Sequence, residues 1–283
     1  MKTSNVIIKF FADYVSSQLG IIYSETNYYQ LETRLQEVAK LMNVNDAEEL
    51  FVLAQKGFSP QLKNLLLDFA TNNETLFFRD PPAFQAIERV IEAQSHEYVG
   101  RDQPFRVWSA ACSFGQEVYS LAMILDRMRN LLPASGYEIV ATDVSSRALK
   151  AAEEGVYSEM NVARGLDSFL RDRHFMQQTT SNGDVEWKVR PELRRGIRFL
   201  NQNLLDSFDA LGTFDLILCR NVLIYQTTDS RKEIVKKIFN RLRPGGTFLL
   251  GSSESLLGIS EDFETDRFER ATLYRRKDLS KAS

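Results

Sequence analysis

The chain has 283 residues, 43% hydrophobic and 26% charged, with a formal net charge of -3 and a pI of about 5.6. That size suggests one large domain or two ordinary ones, and the composition argues against disorder. A mixed, slightly acidic charge gives no global field toward DNA, RNA or an anionic membrane.

No apolar run is long enough to span a bilayer. The apolar stretch from Val6 is broken by Lys9 and Asp13, unlike the core of a signal peptide. A cytoplasmic protein with no nucleic-acid partner and no membrane insertion is therefore expected. Cys112 and Cys219 are expected to be reduced thiols buried as small hydrophobes.

Residues 1–80 read as an all-helical N-terminal domain. Val6, Ile7, Phe10, Phe11, Tyr14 and Val15 recur at helical spacing, and Gly20 stands where a helix C-terminus favours glycine. A second helix starts near Ser24 to Asn27 and carries Leu31, Leu35, Val38 and Met42. Asp46 can cap a third through Leu53, and Pro60 opens a fourth with Leu62, Leu65, Leu66 and Phe69. The segment from Thr71 to Pro82 is a connection, yet Leu76, Phe77 and Phe78 inside it predict packing. Residues 81–104 then read as a helix, Pro82 to Ala93, followed by a polar surface linker.

Residues 105–283 change character to α/β. Phe105–Ala111, Tyr137–Thr142, Ile197–Leu200, Phe214–Cys219 and Thr247–Leu250 read as strands, most of them separated by helical patterns. That alternation predicts an open parallel sheet with helices on both faces and a ligand beyond the strands' C-terminal ends. Between Phe175 and Val189, two strand-like runs flank Ser181-Asn182-Gly183-Asp184, a hairpin signal. A small antiparallel insertion is therefore expected at about 172–196.

The residues that can carry chemistry follow the strands. After the first strand, Ala110-Ala111-Cys112-Ser113-Phe114-Gly115 offers small residues ahead of a helix N-terminus. A dinucleotide fingerprint would need more glycines, so this is either a turn for a phosphate-free nucleoside or a plain tight turn. Asp143 ends the second strand, where an acidic side chain can accept ribose hydroxyls or cap the next helix, a role Ser145 could fill instead. Arg220, Asn221 and Tyr225 cluster after the fourth strand, where such polar groups need a ligand or partner.

Six pieces, in order, carry a specific resemblance: Asn73-Glu74-Thr75-Leu76-Phe77-Phe78-Arg79, Trp108 through Ala122, Ala141-Thr142-Asp143, Asn203-Leu204-Leu205, Cys219 through Tyr225, and Gly251-Ser252-Ser253-Glu254. The sequence resembles the CheR-type chemotaxis receptor methyltransferases over nearly its whole length. The resemblance implies a Rossmann-like S-adenosylmethionine-dependent methyltransferase fold. It also implies transfer of a methyl group from S-adenosyl-L-methionine to glutamate carboxylates of chemoreceptors, leaving S-adenosyl-L-homocysteine. It implies that Asn73, Thr75 and Arg79 reach the cofactor, that Glu117 holds its amine and Asp143 its ribose. Asn203 with Leu204, and Arg220 with Asn221, would line the adenosine side, and Arg79 and Tyr225 would lie nearest the reacting groups.

The implied partner is the cytoplasmic helical domain of methyl-accepting chemoreceptors, with the hairpin as the place where some members hold a receptor C-terminal tail. Two departures stand out. The family's Glu-Glu-Pro is here Gln116-Glu117-Val118, and its often basic second helix here mixes Arg34 and Lys40 with Glu32 and Glu37.

An ionised glutamate needs no general base, so the implied catalysis is alignment and water exclusion. A nucleic-acid amino-methyltransferase would instead carry Asn/Asp-Pro-Pro-Tyr after the fourth strand. A non-catalytic sensor could dispense with Arg79 and Tyr225. His96 and His174 have no neighbours at metal-ligand spacing and read as ordinary surface or structural residues.

Overall fold

The computed structural model describes residues 3–277. Helices α1 (Asn5–Leu19), α2 (Tyr28–Leu41), α3 (Ala47–Gln55) and α4 (Pro60–Ala70) form the N-terminal bundle. Ser4, Asp46 and Ser59 cap α1, α3 and α4 by accepting backbone N–H groups, and Gly20 ends α1 in the left-handed conformation. Ile8, Phe11, Leu31, Leu35, Leu50, Leu62 and Leu66 fill the bundle core.

Helix α5 (Pro81–Gln94) sends Ala83, Phe84, Ala86, Ile87, Val90 and Ile91 into the core that also holds Phe105, Val107, Leu216 and Leu249. It is thus a structural layer of the α/β unit. The polar stretch after it is anchored as well. Tyr98 is buried and its hydroxyl donates to Gln94 (3.0 Å). Arg101 donates to both oxygens of buried Asp215, at 2.6 and 2.9 Å. Most of the stretch is exposed, as its polar composition suggested, and the anchoring of Arg101 was not legible because Asp215 lies more than a hundred residues away in sequence.

The remaining elements are β1 (Phe105–Ala110), α6 (Gln116–Arg127), β2 (Tyr137–Asp143), α7 (Ser146–Glu154), β3 (Val156–Ser158), α8 (Glu159–Ala163), α9 (Ser168–His174), β4 (Phe175–Thr179), β5 (Val185–Val189), α10 (Pro191–Arg194), β6 (Ile197–Asn201), β7 (Phe214–Cys219), α11 (Thr228–Arg241), β8 (Leu242–Leu250), β9 (Phe263–Phe268) and β10 (Ala271–Arg276). Seven strands make one sheet in the order β6-β2-β1-β7-β8-β10-β9. Strands β6, β2, β1, β7 and β8 pair in parallel, and β10 runs antiparallel to both β8 and β9. Strand order reverses between β1 and β7, which places the ligand-binding crevice above their C-terminal ends.

The hairpin β4–β5 forms as its Asn182-Gly183 turn predicts, and β3 joins it to give a separate sheet of order β3-β5-β4. The sequence gives little warning of β3, only three residues long, or of β9, whose Glu264, Thr265, Asp266 and Arg267 are exposed. Pro244, Gly245 and Gly246, which precede the strand expected at Thr247–Leu250, lie within β8, and the β7–β8 pairing shifts register between Phe214 and Leu216. A bulge is where a strand tolerates proline and glycine. Among the described residues, no helix is long and apolar enough to cross a membrane.

Candidate functional site

The turn from β1 to α6 puts Ala111, Ser113 and Gly115 at positive φ (62°, 52° and 88°). This folds the backbone against the tip of β2. There the Ser113 and Ser145 N–H groups donate to the two Asp143 carboxylate oxygens, at 2.8 and 2.9 Å. Ser145, rather than Asp143, caps α7 through the Ala148 N–H (3.1 Å). Asp143 is therefore free of that duty. Burial pushes its carboxyl pKa up, opposed chiefly by the backbone donors of Ser145 and Ser113.

Gly115 has a different task from the one its motif suggests. A Cβ there would sit 2.9 Å from Ala152 Cβ and 3.1 Å from the Tyr157 hydroxyl, so its smallness lets α7 and β3 close on the turn. The small residues that face the cleft are Ala111, Cys112 and Ser113. Cys112 is buried, and burial raises its thiol pKa well above the ordinary value, so it stays protonated.

Glu117, in the first turn of α6, accepts from the Ser109 hydroxyl (2.8 Å) and from Arg220 Nη1 (3.0 Å). Arg220 also donates to the Arg79 carbonyl (2.7 Å), lies 3.4 Å from Asp80 Oδ2, and packs over the Phe84 ring. Its guanidinium thus gathers β7, α6 and the interdomain segment into one joint. Arg220, which the resemblance sets on the adenosine side, lines the cleft and is also paired with Glu117.

The interdomain segment is pinned along its length. Phe77 is fully buried in the α/β core, the Phe78 N–H donates to Ser120 (2.9 Å), and Ser113 donates to the Asn73 carbonyl (2.9 Å). Arg79 donates to the Glu74 carbonyl (2.8 Å), and Asn72 Nδ2 donates to the Tyr225 hydroxyl (2.9 Å). Asn203 spends its amide on the Gln18 carbonyl (2.8 Å) and the Leu205 N–H (3.0 Å), tying the cleft to α1.

Asn73, Thr75, Arg79, Glu117, Asp143, Asn203, Leu204, Arg220, Asn221 and Tyr225 all line one cleft. Its polar groups suit an amine-bearing nucleoside. Each Asp143 oxygen accepts one N–H and keeps capacity for a ribose hydroxyl. Asn73 Nδ2 is buried without a partner among the described residues, so a donor waits for an acceptor there. Leu19, Ile21, Val144 and Leu204 supply apolar wall for a base. Among the described residues no cluster of His, Cys, Asp or Glu could hold a metal.

A family model described as the SAM binding domain of CheR methyltransferase matches residues 73–271. The chain belongs to the CheR methyltransferase family. It is 34% identical to chemotaxis protein methyltransferase 1 of Pseudomonas aeruginosa, over 98% of this chain and 100% of that protein. It is 35% identical to a chemotaxis protein methyltransferase of Vibrio parahaemolyticus, over 94% of this chain and 95% of that one. The family's α/β sheet is present here, and S-adenosylmethionine is the cofactor. The match begins at Asn73, where the segment stapled by Phe77 and Phe78 starts.

Sequence reading of this CheR-family chain missed several wall residues. Leu19 and Ile21 belong to the helical domain, and Asn72, Gln202 and Gln226 flank residues that were singled out. Only Asn72 carried a local signal, since it opens a polar segment that nonetheless packs. Leu19 and Ile21 read as ordinary bundle residues. They reach the cleft because the Ile22 N–H donates to the Tyr225 carbonyl (2.8 Å) and the Thr227 N–H to the Gly20 carbonyl (3.0 Å).

Proposed function

We propose that the cleft aligns a receptor glutamate with the cofactor, with Arg79 and Tyr225 nearest the reacting groups. This CheR-family methyltransferase acts in chemotaxis, and the product is a glutamate methyl ester on a methyl-accepting chemoreceptor. S-adenosylmethionine supplies an electrophilic methyl group on a sulfonium centre. Asp143 would hold its ribose and Glu117 its amine, while Asn73, Thr75 and Arg79 close over it. Asn203, Leu204 and Asn221 would border its adenosine, and Arg220 would support Glu117.

The observation that carries this reading is the convergence of all ten residues on one cleft that contains no histidine among its described walls. A glutamate is already ionised near neutral pH, so nothing has to abstract a proton. Arg79 can orient carboxylate oxygens by charge, and Tyr225 through its hydroxyl. The helical domain, whose Leu19 and Ile21 complete the wall, would help exclude water that stabilises separated charges.

The receptor's cytoplasmic helical domain would present the glutamate, and the enzyme would act in the cytoplasm. A receptor C-terminal tail would add to the small sheet at β4, an edge strand with Met176, Gln177, Gln178 and Thr179 exposed. Incubation with labelled cofactor and native membranes tests the reading. Alkali-labile label on receptor-sized bands is expected. Base-stable label in nucleic acid, or no transfer at all, would refute it.

A further inference from the structure

We propose that Glu254 is a positioning residue that clasps the turn carrying Asn221 and Tyr225. The inference rests on the reading of Tyr225 as a group near the reaction. Glu254 lies in the loop after β8 and does not itself line the cleft. Its carboxylate gathers four backbone donors. Oε2 accepts from Asn221 (2.6 Å) and Gly251 (2.8 Å), and Oε1 accepts from Val222 (3.0 Å) and Ile224 (3.2 Å).

Such an arrangement uses the four acceptor positions of an ionised carboxylate, and each bond is strengthened by charge. It compensates a turn with few acceptors of its own. Asn221 sits at a φ of 60°, a left-handed conformation that asparagine adopts more readily than other residues with a side chain. Within the turn the backbone ties only the Tyr225 N–H to Val222 (3.1 Å) and the Gln226 N–H to Leu223 (3.1 Å). Without Glu254, three amides at the strand's end would lose their acceptor.

Gly251 makes the approach possible. A Cβ there would stand 2.6 Å from Asn221 Nδ2 and 2.8 Å from Glu254 Oε2. The clasp therefore needs glycine and glutamate three residues apart, and both belong to a segment for which the cleft chemistry has no other use. From the opposite side, the turn is held by the Ile22 N–H on the Tyr225 carbonyl and by Asn72 on the Tyr225 hydroxyl. Glu254 fixes one flank, and the helical domain with the interdomain segment fixes the other.

Glu254→Gln in the full chain is the test, because glutamine keeps the shape but turns an NH2 group toward two of the four donors. Three quantities decide: amide exchange at Asn221, Val222 and Ile224, calorimetric affinity for S-adenosylhomocysteine, and single-turnover methylation of receptor-bearing membranes. Exchange at those amides should quicken by about tenfold. Turnover should fall by roughly 10- to 100-fold, more than cofactor affinity falls. Combined with Tyr225→Phe, the losses should be less than additive, since both act through one hydroxyl.

Gly251→Ala, which keeps the charge but crowds the clasp, should reproduce the pattern and carries the test if Glu254→Gln does not fold. Unchanged amide exchange, or fully additive losses, would overturn the inference. A fully active Tyr225→Phe protein would sink the reading of Tyr225, and amide exchange would then decide the clasp alone.

Discussion

Glu117 and Arg220 form an ion pair of 3.0 Å in the wall of the cleft, with the Arg220 side chain 2% exposed. Breaking such a pair by removing one partner leaves a charge buried without its counterion, at a cost of about 3–5 kcal/mol. Asp80, at 3.4 Å, recovers part of that loss for Arg220. Glu117→Ala should therefore destabilise the protein by about 2–3 kcal/mol and weaken S-adenosylhomocysteine binding as well. Replacing both partners with apolar residues should cost less stability than Glu117→Ala alone, while cofactor binding stays impaired. Denaturant unfolding with calorimetry reads both effects. A single mutant as stable as the wild type would show that solvent already screens the pair.

Asp143 gives a pH-dependent expectation. Burial raises its carboxyl pKa above the ordinary value, and accepting ribose hydroxyls requires the ionised form. Cofactor affinity should thus fall as pH drops through that raised value and level off toward neutrality. The sign for stability is opposite. The folded protein holds the proton more tightly than the unfolded chain, so this group's contribution is full below the unfolded pKa and is lost as pH rises through the folded one. Asp143→Ala should weaken S-adenosylhomocysteine binding by about 2–4 kcal/mol and abolish the acid limb of the binding curve. An acid limb that survives the substitution would assign it to another group.

Gly165 tests the seam between the interdomain segment and the loop from α8 to α9. It has a φ of 97°, and a Cβ there would overlap the Phe77 carbonyl oxygen and come within 3.2 Å of Leu76 Cδ1. Gly100 also has a positive φ of 75°, but nothing lies within 4 Å of its Cβ position. Gly100→Ala should therefore cost only the strain of a left-handed alanine, about 1 kcal/mol. Gly165→Ala should cost about 2–3 kcal/mol or more, and should weaken cofactor binding because Asn73, Thr75 and Arg79 ride on the displaced segment. Equal losses in thermal unfolding and unaltered cofactor affinity would argue that the segment yields freely at Phe77.

What the sequence made legible follows the range of the forces involved. The bundle helices were readable because their apolar spacing and their caps at Asp46 and Gly20 are local. The apolar runs of β1, β2 and β7 were equally plain, and Asp143 announced itself at the end of one. Arg220 stood out locally only as part of a polar cluster after a strand, and the role of Asn73 had no local signature and came only with the resemblance. Strand β9 escaped because an edge strand carries charge, and the anchoring of Arg101 by Asp215 escaped because the two meet only in the fold. The same holds for Leu19 and Ile21, bundle residues that the Gly20–Thr227 contact turns into cleft wall.

The methyl-transfer step makes the last prediction. Tyr225 is 37% exposed, and its hydroxyl accepts from Asn72 Nδ2 at 2.9 Å, which leaves its proton free to reach a carboxylate. Tyr225→Phe should lower single-turnover rate by about 10²-fold, as for loss of one positioned donor, with cofactor affinity nearly intact. Asn72→Ala should lower the rate in the same direction but less, since the hydroxyl remains and loses only its orientation. Arg79→Ala should be the most damaging, because it removes charge as well as geometry. No ionisation near pH 6 to 7 should be needed, since a carboxylate nucleophile needs no base. His96 is exposed and His174 is buried with its pKa lowered by burial and then by Arg173, and neither lines the cleft. His96→Gln and His174→Gln should therefore turn over at close to the wild-type rate, with the same flat profile through neutrality. A profile that follows either histidine, or a fully active Tyr225→Phe enzyme, would exclude alignment without proton abstraction as the mechanism.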